Sequence, residues 1–221
     1  MCFAPVAAEH PYVVPYIESW VDRGHTINIV YGYCERGDLS SLLGRYRQRK
    51  QPIPEANLKL WLCQCLMALE HCHSRSVLHR DIKSGNIFLT AEGNVMVGDF
   101  GLATVREGGS DEDHSLVGTP HYMSPELLAK RPYSFKSDIF SLGVVLYELS
   151  AQKPPFTAFN IHGLIHKIKR APMPALPPVS RLPGPGQGRG GLIRWLFLRR
   201  SVPGSCERCA ASATARMARV R

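Results

Sequence analysis

The chain has 221 residues and carries 27 Lys and Arg against 18 Asp and Glu, which gives a net charge of +9. Such a balance suggests a nucleic-acid or membrane-surface partner. However, nine Arg and a single acid, Glu207, lie between residues 180 and 221, so residues 1–179 hold 18 basic and 17 acidic groups. The body of the chain is almost neutral, and no specific nucleic-acid partner is expected.

Composition narrows the class of protein further. A hydrophobic content of 44% is enough to bury the core of one large domain or two small ones. No apolar run reaches about 18 residues, so no membrane span is expected, and the first residues do not resemble a signal peptide. Seven cysteines is an odd number, and five of them are scattered through ordinary globular sequence: Cys2, Cys34, Cys63, Cys65 and Cys72. This pattern favours reduced thiols in the cytoplasm over a disulfide framework.

The first half of the chain contains clear strand and helix patterns. Residues 27–30 are β-branched around one Asn and predict a strand. Gly37 and Asp38 predict a turn that leads into a helix at residues 39–43. Apolar residues at three-and-four spacing predict an amphipathic helix over residues 55–73.

Residue patterns in the second half of the chain predict a hairpin, a buried helix and a disordered tail. Two short apolar runs, 87–89 and 95–97, flank a turn and predict a hairpin. Ser137 is a candidate N-cap for a helix over residues 138–150, which is apolar nearly all round and should be buried. Seven of the twelve residues 180–191 are Gly or Pro, which predicts a largely disordered tail.

Three short segments together indicate chemistry. Residues 79–86 read His-Arg-Asp-Ile-Lys-Ser-Gly-Asn, residues 99–101 read Asp-Phe-Gly, and Gly-Thr-Pro at 118–120 precedes Ser-Pro-Glu at 124–126. Each segment is weak evidence alone. In this order and at these separations they resemble the catalytic loop, the metal-binding loop and the end of the activation segment of a eukaryotic-type protein kinase.

The resemblance implies a role for each polar side chain in phosphoryl transfer, with ATP and Mg²⁺ as cofactors. Asp81 would accept or orient the proton of the substrate hydroxyl, and Lys83 would offset charge on the transferred phosphate. Asn86 and Asp99 would supply the oxygen ligands that Mg²⁺ requires. Thr119 would bridge Asp81 and Lys83, a pattern associated with Ser/Thr substrates. The alternative is that the Asp and Asn residues are ordinary turn residues.

The same template implies a nucleotide site. Tyr31, Tyr33 and Cys34 would form the hinge that meets the adenine, with Tyr31 at the back of the adenine pocket, and Asp38 would face the ribose. A strand end followed by a turn explains these residues equally well. Asp138 would hydrogen-bond the backbone of the catalytic loop, and it also favours the N-terminus of its helix.

The activation segment would run over residues 99–126. Arg80 directly precedes the catalytic Asp, and kinases with this Arg are commonly switched when a phosphate on the activation segment pairs with it. Ser115 is the candidate phosphorylation site by its distance from Gly118. An unmodified loop serine is the alternative.

Further stretches narrow the kinase subfamily. Residues 86–90 read Asn-Ile-Phe-Leu-Thr, residues 98–103 read Gly-Asp-Phe-Gly-Leu-Ala, and residues 118–127 extend the Gly-Thr-Pro segment through Ser-Pro-Glu-Leu. With these segments the chain looks like the NIMA-related serine/threonine kinases from residue 10 to about residue 179. Residues 135–139, Phe-Lys-Ser-Asp-Ile, look especially like the plant and green-algal members. Phe140, where the family usually has Trp, is an apolar departure.

The expected fold is therefore α+β and protein-kinase-like, mainly the helical C-lobe with a partial β N-lobe. Residues 1–34 would hold the N-lobe strands and hinge, residues 35–179 an incomplete C-lobe, and residues 180–221 a Gly/Pro/Arg-rich disordered tail. Implied partners are ATP and protein substrates. Microtubule, cell-cycle or ciliary partners, and a cytoplasmic, cytoskeletal or ciliary location, are implied by the family resemblance alone.

Parts of the family pattern are not found in this sequence. The first Lys is Lys50 and the first Gly is Gly24, so neither the Gly-rich loop over the phosphates nor the strand Lys is present. Family sequence also stops near Pro178, which suggests a frameshift, a retained intron or a faulty gene model. We therefore expect a truncated form with impaired activity. The alternative is a non-catalytic, kinase-derived interaction module.

The tail by itself indicates little. Cys206 and Cys209 form one pair, whereas a closed zinc site needs four ligands. The Arg-rich sequence is compatible with non-specific phosphate binding, but an incidental basic tail is the preferred interpretation.

Overall fold

The computed structural model describes residues 9–105, 119–172 and 174. Helices dominate this part of the chain, accompanied by three two-stranded antiparallel sheets, which confirms the predicted α+β class. Short 3₁₀ turns lie at Ser84–Asn86, Phe100–Leu102 and Pro120–Tyr122. In chain order the other elements are β1 (Tyr16–Val21), β2 (Ile27–Tyr31), α1 (Leu39–Gln48), α2 (Glu55–Ser74), β3 (Val77–Leu78), β4 (Ile87–Leu89), β5 (Val95–Val97), β6 (Thr104–Val105), α3 (Pro125–Leu128), α4 (Phe135–Ala151) and α5 (Ile161–Arg170).

The β1–β2 hairpin confirms the strand predicted at residues 27–30. Val21 pairs with Ile27 beside the turn, and a bulge interrupts the ladder near the start of β1. The Asp22 carboxylate closes the turn by accepting the Gly24 N–H at 2.9 Å. This hairpin lies within residues 1–34, where the sequence predicts the strands of a partial N-lobe.

Helix α1 begins where the sequence predicts a turn leading into a helix. Asp38 is its N-cap, and its carboxylate accepts the backbone N–H of Ser41 at 2.8 Å. An acceptor at this position satisfies an N–H that has no partner within the helix.

Helix α2 is the centre of the core and confirms the helix predicted over residues 55–73. It packs against both α4 and β5. Because apolar residues recur every three or four positions, one face is continuously buried. Its buried apolar residues are Leu58, Trp61, Leu62, Cys65, Ala68, Leu69 and Cys72.

The β4–β5 hairpin is also confirmed, and polar side chains from α2 hold its turn. The indole Nε1 of Trp61 donates to the carbonyl of Gly93 at 3.0 Å. Gln64 accepts the N–H of Val95 at 2.9 Å through its side-chain oxygen. The hairpin that leads from residues 79–86 to Asp99 is thereby attached to the core helix.

Helix α4 is buried as predicted, but its predicted start is wrong. It begins at Phe135, three residues before the expected position, and Ser134 is the N-cap. Ser137 is the third helical residue and completes a capping box with Ser134. A serine at either position binds a free backbone N–H, so the residue type alone did not distinguish them.

Several sequence predictions fall partly outside the described residues. Within residues 9–105, 119–172 and 174, no helix is long and apolar enough to cross a bilayer. Four of the seven cysteines lie in the described part, and all four are free thiols: Cys34, Cys63, Cys65 and Cys72. The tail predicted for residues 180–221 lies outside the described residues, so the domain boundaries stay predictions.

Candidate active site

The loop between β3 and β4 brings three predicted site residues together. Asp81 is buried, and its Oδ2 accepts hydrogen bonds from Lys83 Nζ at 2.5 Å and from Asn86 Nδ2 at 3.0 Å. Asn86 Nδ2 also donates to the backbone carbonyl of Asp81 at 2.9 Å. Because the amide nitrogen of Asn86 faces Asp81, its side-chain oxygen points away and is left as an acceptor.

Thr119 approaches the same carboxylate from the other side. Its Oγ1 donates to Asp81 Oδ1 at 3.2 Å. The sequence predicts that this hydroxyl bridges Asp81 and Lys83. In the structure Asp81 is the shared partner, because Thr119 and Lys83 bind different oxygens of its carboxylate.

His79 orients Asp81 from within the core. This residue is fully buried, and burial lowers the pKa of its imidazole despite the opposing charges of Asp138, Asp81 and Asp99. One ring nitrogen, Nε2, lies 3.0 Å from the carbonyl of Gly98, and the other, Nδ1, accepts the N–H of Asp81 at 3.3 Å. A neutral imidazole with its proton on Nε2 satisfies both contacts.

Asp99 follows β5 in a left-handed backbone conformation. Its φ is 61° and its ψ is 71°, values that are uncommon for a residue other than glycine. The next residue, Phe100, is buried, and its ring lies 4.8 Å from the His79 ring. The turn therefore places Phe100 in the core and leaves the Asp99 side chain exposed.

Asp138 is fully buried at the beginning of α4 and accepts four hydrogen bonds. Its Oδ1 accepts Arg80 N at 3.0 Å and Tyr133 OH at 2.7 Å. Its Oδ2 accepts His79 N at 3.1 Å and lies 2.8 Å from His73 Nε2. Burial alone raises the pKa of this carboxyl, but the hydrogen bond and charge of His73, then His79 and Tyr133, lower it below its usual value. The predicted contact with the catalytic-loop backbone is confirmed.

Arg80 joins the loop at residues 79–86 to the segment that follows Asp99. Its φ of 68° is left-handed, and the Asp138 contact to its N–H helps to hold that conformation. Its Nε donates to the carbonyl of Leu102 at 2.6 Å. Ser115 lies outside the described residues, so its pairing with Arg80 stays a prediction.

Comparison with known proteins shows which family the chain resembles. A family model described as the protein kinase domain matches residues 5–181. The chain belongs to the protein kinase family.

Relatives of this kinase chain agree with the predicted NIMA-related resemblance. It is 48% identical over 170 residues to serine/threonine-protein kinase Nek3 of Oryza sativa subsp. japonica, which covers 77% of this chain and 28% of that protein. It is 43% identical to Nek2 of Mus musculus over 76% of this chain and 40% of the relative. Nek4 of Mus musculus is 41% identical over 77% of this chain and 21% of the relative. The kinase chain thus spans less than half the length of each of these relatives.

The predicted hinge residues lie at the end of β2 and directly after it. Tyr31 ends the strand and packs edge-to-face against Tyr16 at 6.4 Å between ring centroids. Tyr33 is 85% exposed, and Cys34 is half-buried, with its thiol pKa raised by burial and then by Glu35. These three residues lie on one short segment, and their contact with a nucleotide stays a prediction.

Asp38 has a local partner that the ribose prediction did not include. Besides the Ser41 N–H, its carboxylate accepts the Ser41 hydroxyl at 2.8 Å. Burial raises the pKa of Asp38, but the hydrogen bonds from Ser41 lower it further, so the pKa lies below its usual value. The alternative of a turn residue therefore accounts for its observed contacts.

Sequence reasoning missed several polar residues that support the site: His73, Tyr133, Ser84, Tyr122 and Glu148. Ser84 and Tyr122 lie inside the segments that resemble a kinase, but no pattern pairs them with Glu148, because these partners are 64 and 26 residues away. One available signal was Glu148 itself, a carboxylate in the largely apolar second half of α4. A charge in such a helix is retained only where it has partners.

Proposed function

We propose that the protein is an ATP-dependent kinase that phosphorylates Ser and Thr hydroxyls of proteins. The observation that carries this proposal is the Asp81 carboxylate, which Lys83 contacts at one oxygen and Thr119 at the other. A buried carboxylate fixed in this way can receive a proton beside a positive charge. Relatives named serine/threonine-protein kinases support the class of substrate.

In the proposed reaction the substrate hydroxyl oxygen bonds to the γ-phosphorus of ATP while the bond from that phosphorus to the ADP oxygen breaks. The hydroxyl proton passes to Asp81. Lys83 offsets the negative charge of the transferred phosphoryl group, and Thr119 and Asn86 hold the carboxylate in its orientation.

Asn86 and Asp99 would hold Mg²⁺. Their carboxamide and carboxylate oxygens are the donor types that Mg²⁺ prefers. The fit is supported by the orientation of Asn86, whose nitrogen is committed to Asp81. When bound, Mg²⁺ neutralises charge on the phosphates.

The nucleotide base would meet Tyr31, Tyr33 and Cys34, and the ribose would meet Asp38. A ribose hydroxyl would share the Asp38 carboxylate with Ser41, which already occupies both of its oxygens. Phosphorylation of Ser115 would regulate the enzyme by adding a phosphate that pairs with Arg80.

The 221-residue chain by itself would transfer phosphate slowly. Its sequence holds no Gly-rich loop and no strand Lys to align ATP, and misplacement of reacting groups is costly in rate. The free thiols of the described part fit a cytoplasmic location. Cytoskeletal, cell-cycle or ciliary partners are carried by the family resemblance alone.

The test uses the purified chain, labelled ATP, Mg²⁺ and a generic protein substrate. We expect slow, Mg²⁺-dependent labelling of Ser and Thr, below the roughly 1–100 s⁻¹ typical of kinases. Asp81→Ala abolishes the labelling, whereas the control Glu55→Ala, which removes a surface carboxylate on α2, does not. Labelling that survives Asp81→Ala contradicts the mechanism. No labelling together with no ATP-dependent thermal stabilisation favours the non-catalytic interaction module.

A further inference from the structure

Helix α4 is largely apolar but carries a stripe of polar side chains along one face. We call Ser137, Asp138, Ser141 and Glu148 the α4 stripe. At about 100° per residue these four positions fall within roughly 100° of one another around the helix axis. Asp138 and Glu148 are separated by about 15 Å along that axis at 1.5 Å per residue.

The two ends of the stripe hold the two ends of the catalytic loop. Asp138 accepts the N–H groups of His79 and Arg80 at the beginning of the loop. Glu148 Oε2 accepts the hydroxyl of Ser84 at 2.9 Å near its end. Ser84 lies between Lys83 and Asn86 and is 2% exposed.

Glu148 also holds the segment that carries Thr119. The same oxygen, Oε2, accepts the Tyr122 hydroxyl at 2.7 Å. Midway along the stripe, Ser141 Oγ donates to the Tyr122 carbonyl at 2.8 Å. The two attachments to Tyr122 fix both its backbone and its side chain three residues after Thr119.

The charge on Glu148 suits this double acceptance. Its side chain is 14% exposed, and Arg47 of α1 lies 3.8 Å from its other oxygen. Burial, opposed by the Ser84 hydrogen bond and reinforced by Glu148, raises the pKa of Tyr122 to about 12. Tyr122 therefore remains a neutral hydroxyl at neutral pH and donates a hydrogen bond to the carboxylate. Hydroxyl donors to a carboxylate make short, strong hydrogen bonds.

We propose that Glu148 is a positioning residue that holds Ser84 and Tyr122 together, and thereby keeps Lys83, Asn86 and Thr119 in register around Asp81. Without the carboxylate, the Ser84 and Tyr122 hydroxyls, 3.1 Å apart, have only each other. One of these two partly buried donors then lacks an acceptor, and the two segments lose their common anchor.

The first experiment measures amide hydrogen exchange in the full chain and does not require activity. Glu148→Ala should accelerate exchange about tenfold in peptides covering residues 82–87 and 119–124. Exchange in α2 should change no more than in the control Glu55→Ala, which removes a carboxylate paired with Lys59. Tyr122→Phe, which keeps the ring and removes the donor, should accelerate exchange mainly in 119–124.

The second experiment measures steady-state kinetics and rests on the proposed function. Glu148→Ala should lower kcat about tenfold or more with the KM for ATP within about twofold, since only the arrangement around Asp81 changes. Glu148→Gln keeps the shape of the side chain and one acceptor oxygen, so it should recover most of the kcat that Glu148→Ala loses. If Glu148 only stabilises the fold, Glu148→Ala should lower the melting temperature, and Glu148→Gln should not restore kcat more than it restores that temperature.

The outcomes separate the proposed kinase activity from the proposed positioning role of Glu148. If the wild-type chain transfers no phosphate, the proposed function fails, and the exchange experiment still decides the role of Glu148. If exchange in 82–87 and 119–124 is the same in Glu148→Ala and Glu55→Ala, the positioning role is wrong. If Glu148→Ala does not fold, unchanged exchange in Tyr122→Phe overturns the proposal in the same way.

Discussion

Replacement of Asp138 by Asn should destabilise the fold strongly, because this carboxylate is the common acceptor for four donors. His73 Nε2 and His79 N approach one oxygen, and Arg80 N and Tyr133 OH approach the other. An Asn side chain has one acceptor oxygen, and its amide group would face two donors.

The magnitude follows from the two donors that lose an acceptor. A buried donor left without a partner costs about 1–3 kcal/mol, so two cost about 2–6 kcal/mol. Removing one partner of a buried ionic pair costs about 3–5 kcal/mol in other proteins. We expect the free energy of unfolding to fall by about 3–5 kcal/mol, a large share of the roughly 5–15 kcal/mol typical of a domain.

Urea denaturation of the full chain measures this change. With a typical slope of about 1–3 kcal/mol per M, the midpoint should fall by more than about 1 M. The surface control Glu55→Gln should change the free energy of unfolding by less than about 1 kcal/mol. Tyr133→Phe removes a single donor and should cost about 1 kcal/mol. An Asp138→Asn midpoint equal to that of Glu55→Gln would refute the reasoning.

The pH dependence gives a second check on Asp138. Its folded pKa lies below the ordinary value of 3.8, so the unfolded chain binds the proton more readily. The stabilisation is therefore complete above about pH 3.8 and is lost as the pH falls through the lower folded pKa. The stability gap between wild type and Asp138→Asn should shrink below pH 3.8, and a gap that widens there would contradict the assignment.

Two further predictions concern the packing around the site. Gly98→Ala should lower the free energy of unfolding, measured by calorimetry, by about 1–3 kcal/mol, because an added Cβ would lie 2.7 Å from Val14 Cγ2. An unchanged melting temperature would show that the neighbouring side chains move aside without cost. Burial raises the thiol pKa of Cys65 and Cys72 to about 12, so mass spectrometry should find them unmodified by a thiol reagent until urea unfolds the chain. Modification of Cys65 at the same rate as the half-buried Cys34 in the native chain would contradict that burial.

The motif residues and most helices were predictable because their signals are local. The helix over 55–73, the hairpin at 87–97 and the turn at Asp38 each depend on spacing or turn chemistry within a few residues. The capping serine of α4 was misplaced, since Ser134 and Ser137 both satisfy the same box and only the backbone distinguishes them.

The amino-acid sequence by itself indicated the kinase family and showed that the excess positive charge is confined to residues 180–221. Its motifs also picked out the candidate site residues Asp81, Lys83, Asn86, Asp99 and Thr119. Only the tertiary structure decided how these groups meet. Asp81 is the shared partner of Lys83 and Thr119, and α4 supports the loop through Asp138 and Glu148. The physical reason is that hydrogen-bond partners tens of residues apart leave no periodic trace along the chain, and they are brought together when the apolar faces of α2 and α4 pack.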